Sequence, residues 1–211
     1  MDARLITPFS LGVFGSRWSG KTEFVKNLLL KQNGLIHEPF KKVIWVYKSW
    51  QADLFEQLMG KDFQIEFSDG LPNLKVMGRQ ENTAVVIDDL MEEASKSGAV
   101  QALFTRGRHL NLSVIYLSQN LFHQGKHSRG MSLNMDYMVI FKNVRDATQI
   151  ATLARQMYAK KSTFLTSAYE MATKEPYGHL FIDLKPNTND SMRVRGNILN
   201  VIQRAYTPEN L

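Results

Sequence analysis

Cysteine is absent from the 211-residue chain. That excludes disulfides, thiolate metal sites and a cysteine nucleophile, so the fold stands on packing alone. No apolar run approaches the ~18 residues that a membrane-spanning helix needs, so no membrane partner is expected. The opening Met1-Asp2-Ala3-Arg4 leads into no long apolar segment, so a secretory signal is not expected and the protein is read as not secreted. Internal repeats and low-complexity tracts are missing too. What is there is ordinary for a globular chain: 44% hydrophobic and 22% charged residues. Such a composition excludes disordered, collagen-like and disulfide-scaffold classes and supplies enough apolar surface for a core. The length predicts one domain over 1–211, with a core over about 5–185 and a C-terminal extension over about 186–211.

Charge is informative by position. The chain carries +6 overall; residues 1–100 hold 12 basic and 13 acidic side chains, whereas residues 101–211 hold 14 and 7. A basic half beside a neutral half suits a surface for a polyanion such as DNA, and equally a solvated face rich in lysine and arginine.

Short apolar, β-branched runs alternate with helical patterns. Strands are predicted at Phe9–Phe14, Lys42–Tyr47, Phe63–Phe67, Ala84–Ile87, Leu112–Leu117, Tyr137–Phe141 and Gly178–Leu184. Helices are predicted from Lys21 to about Gln32, Gln51 to Met59, about Glu92 to Thr105, Arg145 to Tyr158 and Ser167 to Thr173. A polar connection runs from Ser118 to Asp136, a turn from Pro186 to Ser191, and an amphipathic stretch from Ile198 to Tyr206. Strand and helix in alternation mean an α/β fold with a mostly parallel sheet and right-handed crossovers.

Gly15-Ser16-Arg17-Trp18-Ser19-Gly20-Lys21-Thr22 matches the P-loop (Walker A) pattern G-x-x-x-x-G-K-[ST] at every fixed position, between a predicted strand and a predicted helix. Glycines let successive backbone N–H groups turn inward around phosphate oxygens, and the following helix adds its positive end. Lys21 is the cation for the β and γ phosphates of ATP, and the Thr22 hydroxyl is a ligand for Mg²⁺. Trp18 covers the nucleotide or packs on a neighbour, the second slightly favoured.

Val85-Val86-Ile87-Asp88-Asp89 is an apolar strand ending in two acids. Such a Walker B strand sets Asp88 beside the magnesium and leaves Asp89 to polarise an attacking water. Gln119, just after Leu112–Leu117, stands where open α/β sheets bind ligands and is a candidate to sense the γ-phosphate or orient water. Thr105-Arg106-Gly107-Arg108-His109 offers Arg106 and Arg108 as arginines supplied in trans to a neighbouring active site. The competing reading is a helix end, with Gly107 terminating and the arginines facing the dipole.

Taken together, the P-loop, the Ile87-Asp88-Asp89 end, residues 105–122 (TRGRHLNLSVIYLSQNLF) and residues 177–186 (YGHLFIDLKP) resemble the FtsK–HerA superfamily, in its viral genome-packaging branch of poxvirus, Polinton and virophage type. Residues 67–72 (FSDGLP) and 194–198 (VRGNI) agree with that branch. The resemblance implies a RecA-like core with an added strand between the P-loop strand and the Walker B strand. It implies ATP hydrolysis with Mg²⁺, and a homo-oligomeric ring, commonly of five or six subunits, that passes double-stranded DNA without regard to sequence. Lys21, Thr22, Asp88, Asp89 and Gln119 take the roles given above, and one of Arg106 and Arg108 becomes the finger. It further implies capsid or portal partners and a place inside the host cell or with the virion. Lys126, His127 and Arg129 are candidates to line the pore.

Two other classes share a P-loop. A nucleoside or nucleotide kinase needs a basic lid, for which Lys126/Arg129 or Lys160/Lys161 are the material. A nucleotide-dependent assembly protein has no use for Asp89 or for an arginine in trans. A switch GTPase is disfavoured because no N-K-x-D motif occurs and Met91 stands at the switch glycine position.

Overall fold

The computed structural model describes residues 3–48, 52–74, 76–88, 98–122, 128–200 and 202–208. Its described strands are β1 (Ser10–Phe14), β2 (Lys42–Tyr47), β3 (Gln64–Ser68), β4 (Thr83–Asp88), β5 (Leu112–Ser118), β6 (Tyr137–Phe141), β7 (His179–Asp183), β8 (Val194–Gly196) and β9 (Arg204–Tyr206). They form one sheet in the order β3-β2-β4-β5-β1-β6-β7-β8-β9. From β3 to β6 every pairing is parallel. From β6 to β9 every pairing is antiparallel. The strand inserted between the P-loop strand β1 and the Walker B strand β4 is β5, as the RecA-like expectation required.

Helices cover both faces: α1 (Lys21–Leu30), α2 (Gln32–Leu35), α3 (Ala52–Leu58), α4 (Ala99–Arg106), α5 (Ser128–Leu133), α6 (Thr148–Met157), α7 (Ser162–Ala172) and α8 (Asp190–Arg193). Burial on two faces explains why Ala84–Ile87 of β4 reads as an unbroken apolar run and why β1, β5 and β6 are mostly apolar. Their side chains alternate between two cores. Leu11, Val13, Trp45, Val86, Ile115 and Val139 face α1 and α3, meeting Phe24, Leu28 and Phe55. Phe14, Val85, Ile87, Val114 and Ile140 face α4, α6 and α7, meeting Leu103, Leu153 and Leu165. Each core buries the stripe of its helices that the 3.6-residue period predicts.

Several boundaries differ from the sequence expectation. α1 stops at Leu30, where the Lys31 N–H returns to Asn27 O at 3.0 Å, and four helical residues follow as α2. α7 starts five residues before Ser167, because Phe164, Leu165, Ala168 and Tyr169 already form a buried stripe. α6 begins at Thr148, whose N–H is taken by Asp146 Oδ1 at 3.2 Å. The polar connection contains α5, and the Pro186–Ser191 turn runs into α8, capped by Asn189 Oδ1 accepting from Ser191 N at 2.9 Å. The amphipathic stretch from Ile198 to Tyr206 ends in strand β9, and β8 and β9 extend the same sheet beyond β7. Residues 92–97 of the predicted fourth helix lie outside the described residues.

Candidate active site

Parallel strands place their carboxyl ends along one edge of the sheet, and there the P-loop leaves β1. Gly15 N–H donates to Ser118 O at 3.2 Å, clipping the start of the loop to the end of β5. A Cβ on Gly15 would stand 2.5 Å from Ser19 Oγ and 2.7 Å from Phe141 Cβ, so only glycine fits this approach. Gly20 takes the left-handed φ of +99° at the cap of α1, the backbone turn that leads into the helix, and no side chain caps that helix end. Phe24 N–H then bonds Gly20 O at 2.8 Å. Lys21 Nζ donates to Gly15 O at 2.7 Å and to Ser16 O at 2.9 Å, which keeps the ammonium inside the loop. The Ser19 hydroxyl is buried with no hydrogen-bond partner, a donor held ready in a loop built for oxyanions. Trp18 does not pack into the chain: it is 86% exposed with φ +66°, and the Arg17 guanidinium lies 5.7 Å from its ring centre.

The Walker B carboxylate meets this loop directly. Thr22 Oγ1 donates to Asp88 Oδ2 at 3.3 Å, with Asp88 buried at the end of β4. Two oxygens bound side by side to an octahedral Mg²⁺ stand about 3 Å apart, so the pair fits that ion. Among the described residues no group of three or more His, Asp and Glu side chains could hold a metal. Mg²⁺ takes one or two protein ligands and completes its shell with phosphate and water. Gln119 follows β5, is exposed, and lines the same cleft as Lys21, Thr22 and Asp88. The cleft encloses about 1110 Å³. Asp89 lies outside the described residues, as do Lys126 and His127.

The far wall of the cleft was not singled out in the sequence. Tyr177, His179, Phe141 and Leu199 line it, from the β6–β7 side of the P-loop. The His179 ring meets Phe24 edge-on at 4.8 Å and Phe141 at 5.3 Å. Burial pushes its pKa below the ordinary histidine value, opposed by its contact with Tyr177 O. No spacing rule could have found this wall, because its residues reach the P-loop only through the order of β6 and β7 in the sheet.

Arg106 and Arg108 sit elsewhere. α4 ends at Arg106, and residues Gly107–Leu110 form a 3-10 turn leading into the amino end of β5. Both arginines therefore stand at the opposite end of the sheet from the phosphate loop of their own chain. Arg108 pairs with Asp136, which also accepts from Ser10 N at 2.8 Å. Gly107 stands at the cap that ends α4, where the helix-end reading put it, with a φ of −54°; the left-handed residue is Asn111 at +59°.

A mostly parallel sheet with a strand inserted between Walker A and Walker B strands, and a P-loop threonine beside the Walker B aspartate, define a P-loop ATPase of RecA-like fold. The chain belongs to the Poxvirus A32 protein family, whose model matches residues 69–181, just over half of its length. The FtsK–HerA resemblance drawn from the motifs is thereby borne out. The fold is similar to that of the genome packaging NTPase B204 from Sulfolobus turreted icosahedral virus 2. Its complex with ATPγS matches at 14% identity and a TM-score of 0.55, covering 100% of both chains. Its complex with AMPPCP matches at 13% identity and a TM-score of 0.57, covering 95% of this chain and 98% of that one. The cytoplasmic domain of the Thermomonospora curvata type VII secretion ATPase EccC matches at 12% identity and a TM-score of 0.54, covering 94% of this chain and 25% of that one. No curated protein matches the sequence.

Proposed function

We propose that the protein hydrolyses ATP to drive double-stranded DNA into a viral capsid. The observation that carries this reading is the 3.3 Å contact between Thr22 and Asp88, the two groups a metal–triphosphate complex needs side by side. Membership of the Poxvirus A32 protein family and a fold shared with the genome packaging NTPase B204 support the packaging role. That B204 was captured with ATPγS and AMPPCP supports ATP as the nucleotide.

In this reading residues Gly15 to Thr22 wrap the phosphates and Lys21 neutralises the β and γ oxygens as charge moves onto them. Thr22 and Asp88 would hold Mg²⁺, which supplies further charge neutralisation on the phosphates when bound. Gln119 orients the attacking water or senses the γ-phosphate, and Asp89 accepts the water's proton. Copies of the chain form a ring, pentameric or hexameric, around DNA, and capsid or portal proteins dock it inside the infected cell or on the particle. The surplus of base in residues 101–211 suits sequence-independent contact with phosphates. Among the described residues no helix is long and apolar enough to cross a membrane, and none is needed here.

The test is ATP hydrolysis with and without double-stranded DNA. Stimulation by DNA, with affinity that falls steeply as salt rises and varies little with sequence, is the expected result. Phosphoryl transfer to a nucleoside acceptor would make the protein a kinase, and nucleotide binding without turnover would make it an assembly factor.

A further inference from the structure

A nucleotide held by its phosphates must lay its sugar and base toward one end of the cleft, and the two ends differ in chemistry. Toward α3 the lining is Lys26, Asp53 and Gln57. The Lys26 ammonium there is already engaged, with Gln57 Oε1 at 2.8 Å and Glu23 Oε2 at 2.6 Å. Toward β7 the lining is Tyr177, His179, Phe141 and Leu199. That end offers ring faces and a polar atom still unsatisfied.

Tyr177 is held in position by the turn that carries it. Its φ is +61°, a conformation bulky residues rarely adopt, and such strain marks sites where placement matters. The turn is closed by Gly178 N–H to Glu175 O at 3.0 Å, and a Cβ on Gly178 would stand 2.5 Å from Ala172 O. One edge of the Tyr177 ring abuts the loop, 3.0 Å from where a Gly20 Cβ would lie, yet the residue is 72% exposed. An aromatic ring fixed beside a P-loop with its face open is a stacking platform. Below it, His179 is 8% exposed and its Nε2 has no hydrogen-bond partner. Its Nδ1 lies 3.4 Å from Tyr177 O, so the proton belongs on Nδ1 and Nε2 keeps its lone pair. Burial keeps the ring neutral at neutral pH.

We propose that Tyr177 and His179 form the nucleoside subsite of this cleft, with the Tyr177 ring stacked on a purine base and His179 Nε2 accepting a hydrogen bond from the nucleoside. The subsite rests on the reading of the P-loop as an ATP site, and adds to it the part that selects a nucleotide over a bare polyphosphate.

Equilibrium binding of Mg-ATP and of Mg-tripolyphosphate, measured side by side on the full chain, tests it. Tyr177→Ala should weaken ATP roughly 10-fold or more, the scale of one base–aromatic stack, and leave tripolyphosphate unchanged. Tyr177→Phe, which keeps the ring, should bind both ligands as the parent does. His179→Phe preserves the packing against Phe24 and Phe141 and removes the acceptor; it should weaken ATP roughly 3- to 10-fold and spare tripolyphosphate. Lys21→Ala should lose both ligands. The subsite is overturned if Tyr177→Ala binds ATP like the parent, or loses tripolyphosphate in step with ATP. If the parent binds neither ligand, the ATP site itself is wrong and the subsite falls with it.

Discussion

Thr22 lies in the first turn of α1, behind β1, and Asp88 ends β4, with the whole of β5 between the two strands, yet the hydroxyl of one donates to the carboxylate of the other at 3.3 Å. The contact joins the helix that receives the phosphates to the strand that delivers the acid. Replacing Asp88 by Asn keeps the shape and removes the charge. Phosphate release should then fall roughly 100-fold or more, the scale of losing one electrostatic contact to reacting phosphate. Thermal melting should barely change. An unaltered rate would take Asp88 out of the metal shell.

Lys21→Ala should abolish turnover. The side chain donates to Gly15 O and Ser16 O in a loop open to water, so stability should drop by about 1 kcal/mol. A mutant that still hydrolyses ATP at the parent rate would end the P-loop assignment.

The two arginines should separate. Arg108 pairs with Asp136, whose side chain is only 9% exposed and keeps its bond from Ser10 N; Arg108 itself is half exposed, so Arg108→Ala removes one screened charged partner and should cost about 1 kcal/mol in urea unfolding. Arg106 is exposed at the end of α4, and Arg106→Ala should stay within about 0.5 kcal/mol of the parent. For catalysis, each alanine mutant is mixed with Lys21→Ala. Recovered hydrolysis identifies the arginine that serves a neighbour; none, despite proven co-assembly, assigns both to the scaffold.

Leu28 is fully buried between α1 and the sheet, in the core that carries the P-loop helix. Leu28→Ala should cost about 2–5 kcal/mol by urea unfolding, the range for leaving a cavity in a packed core. A loss below about 1 kcal/mol would mean that this helix packs loosely.

His179 predicts a pH dependence with a definite sign. Its folded pKa lies below the ordinary value of 6.5, so the unfolded chain binds more protons in the window below it. Stability should therefore hold above pH 6.5 and fall as the solution is acidified toward the folded pKa. In His179→Phe that fall should be smaller. Equal slopes for parent and mutant between pH 7 and 5 would remove His179 as its source.

Much of this was legible in the sequence, and the reason is burial. Strands β1, β4, β5 and β6 are covered on both faces, so their apolar runs stand out without any periodicity. The P-loop shows because its chemistry is local: eight consecutive residues carry it. β8 and β9 escaped because three residues each are too few to display an alternation, and only their pairing, β8 on β7 and β9 on β8, makes them strands. The Arg108–Asp136 pair escaped because nothing in a sequence says that a turn before β5 meets the residue before β6. Tyr177 and His179 were quoted only as part of a family string. Their place beside Gly20 follows from sheet order, which the one-dimensional pattern does not contain.

β5 runs seven residues from the end that holds Arg106 and Arg108 to the end that holds Gln119, roughly 20 Å of strand. No side chain spans that length, so neither arginine can touch the triphosphate of its own copy. Any help they give to hydrolysis is lent between molecules. A diluted sample would then lose turnover per molecule well before it lost its nucleotide, and specific activity would climb with protein concentration until the copies close on one another.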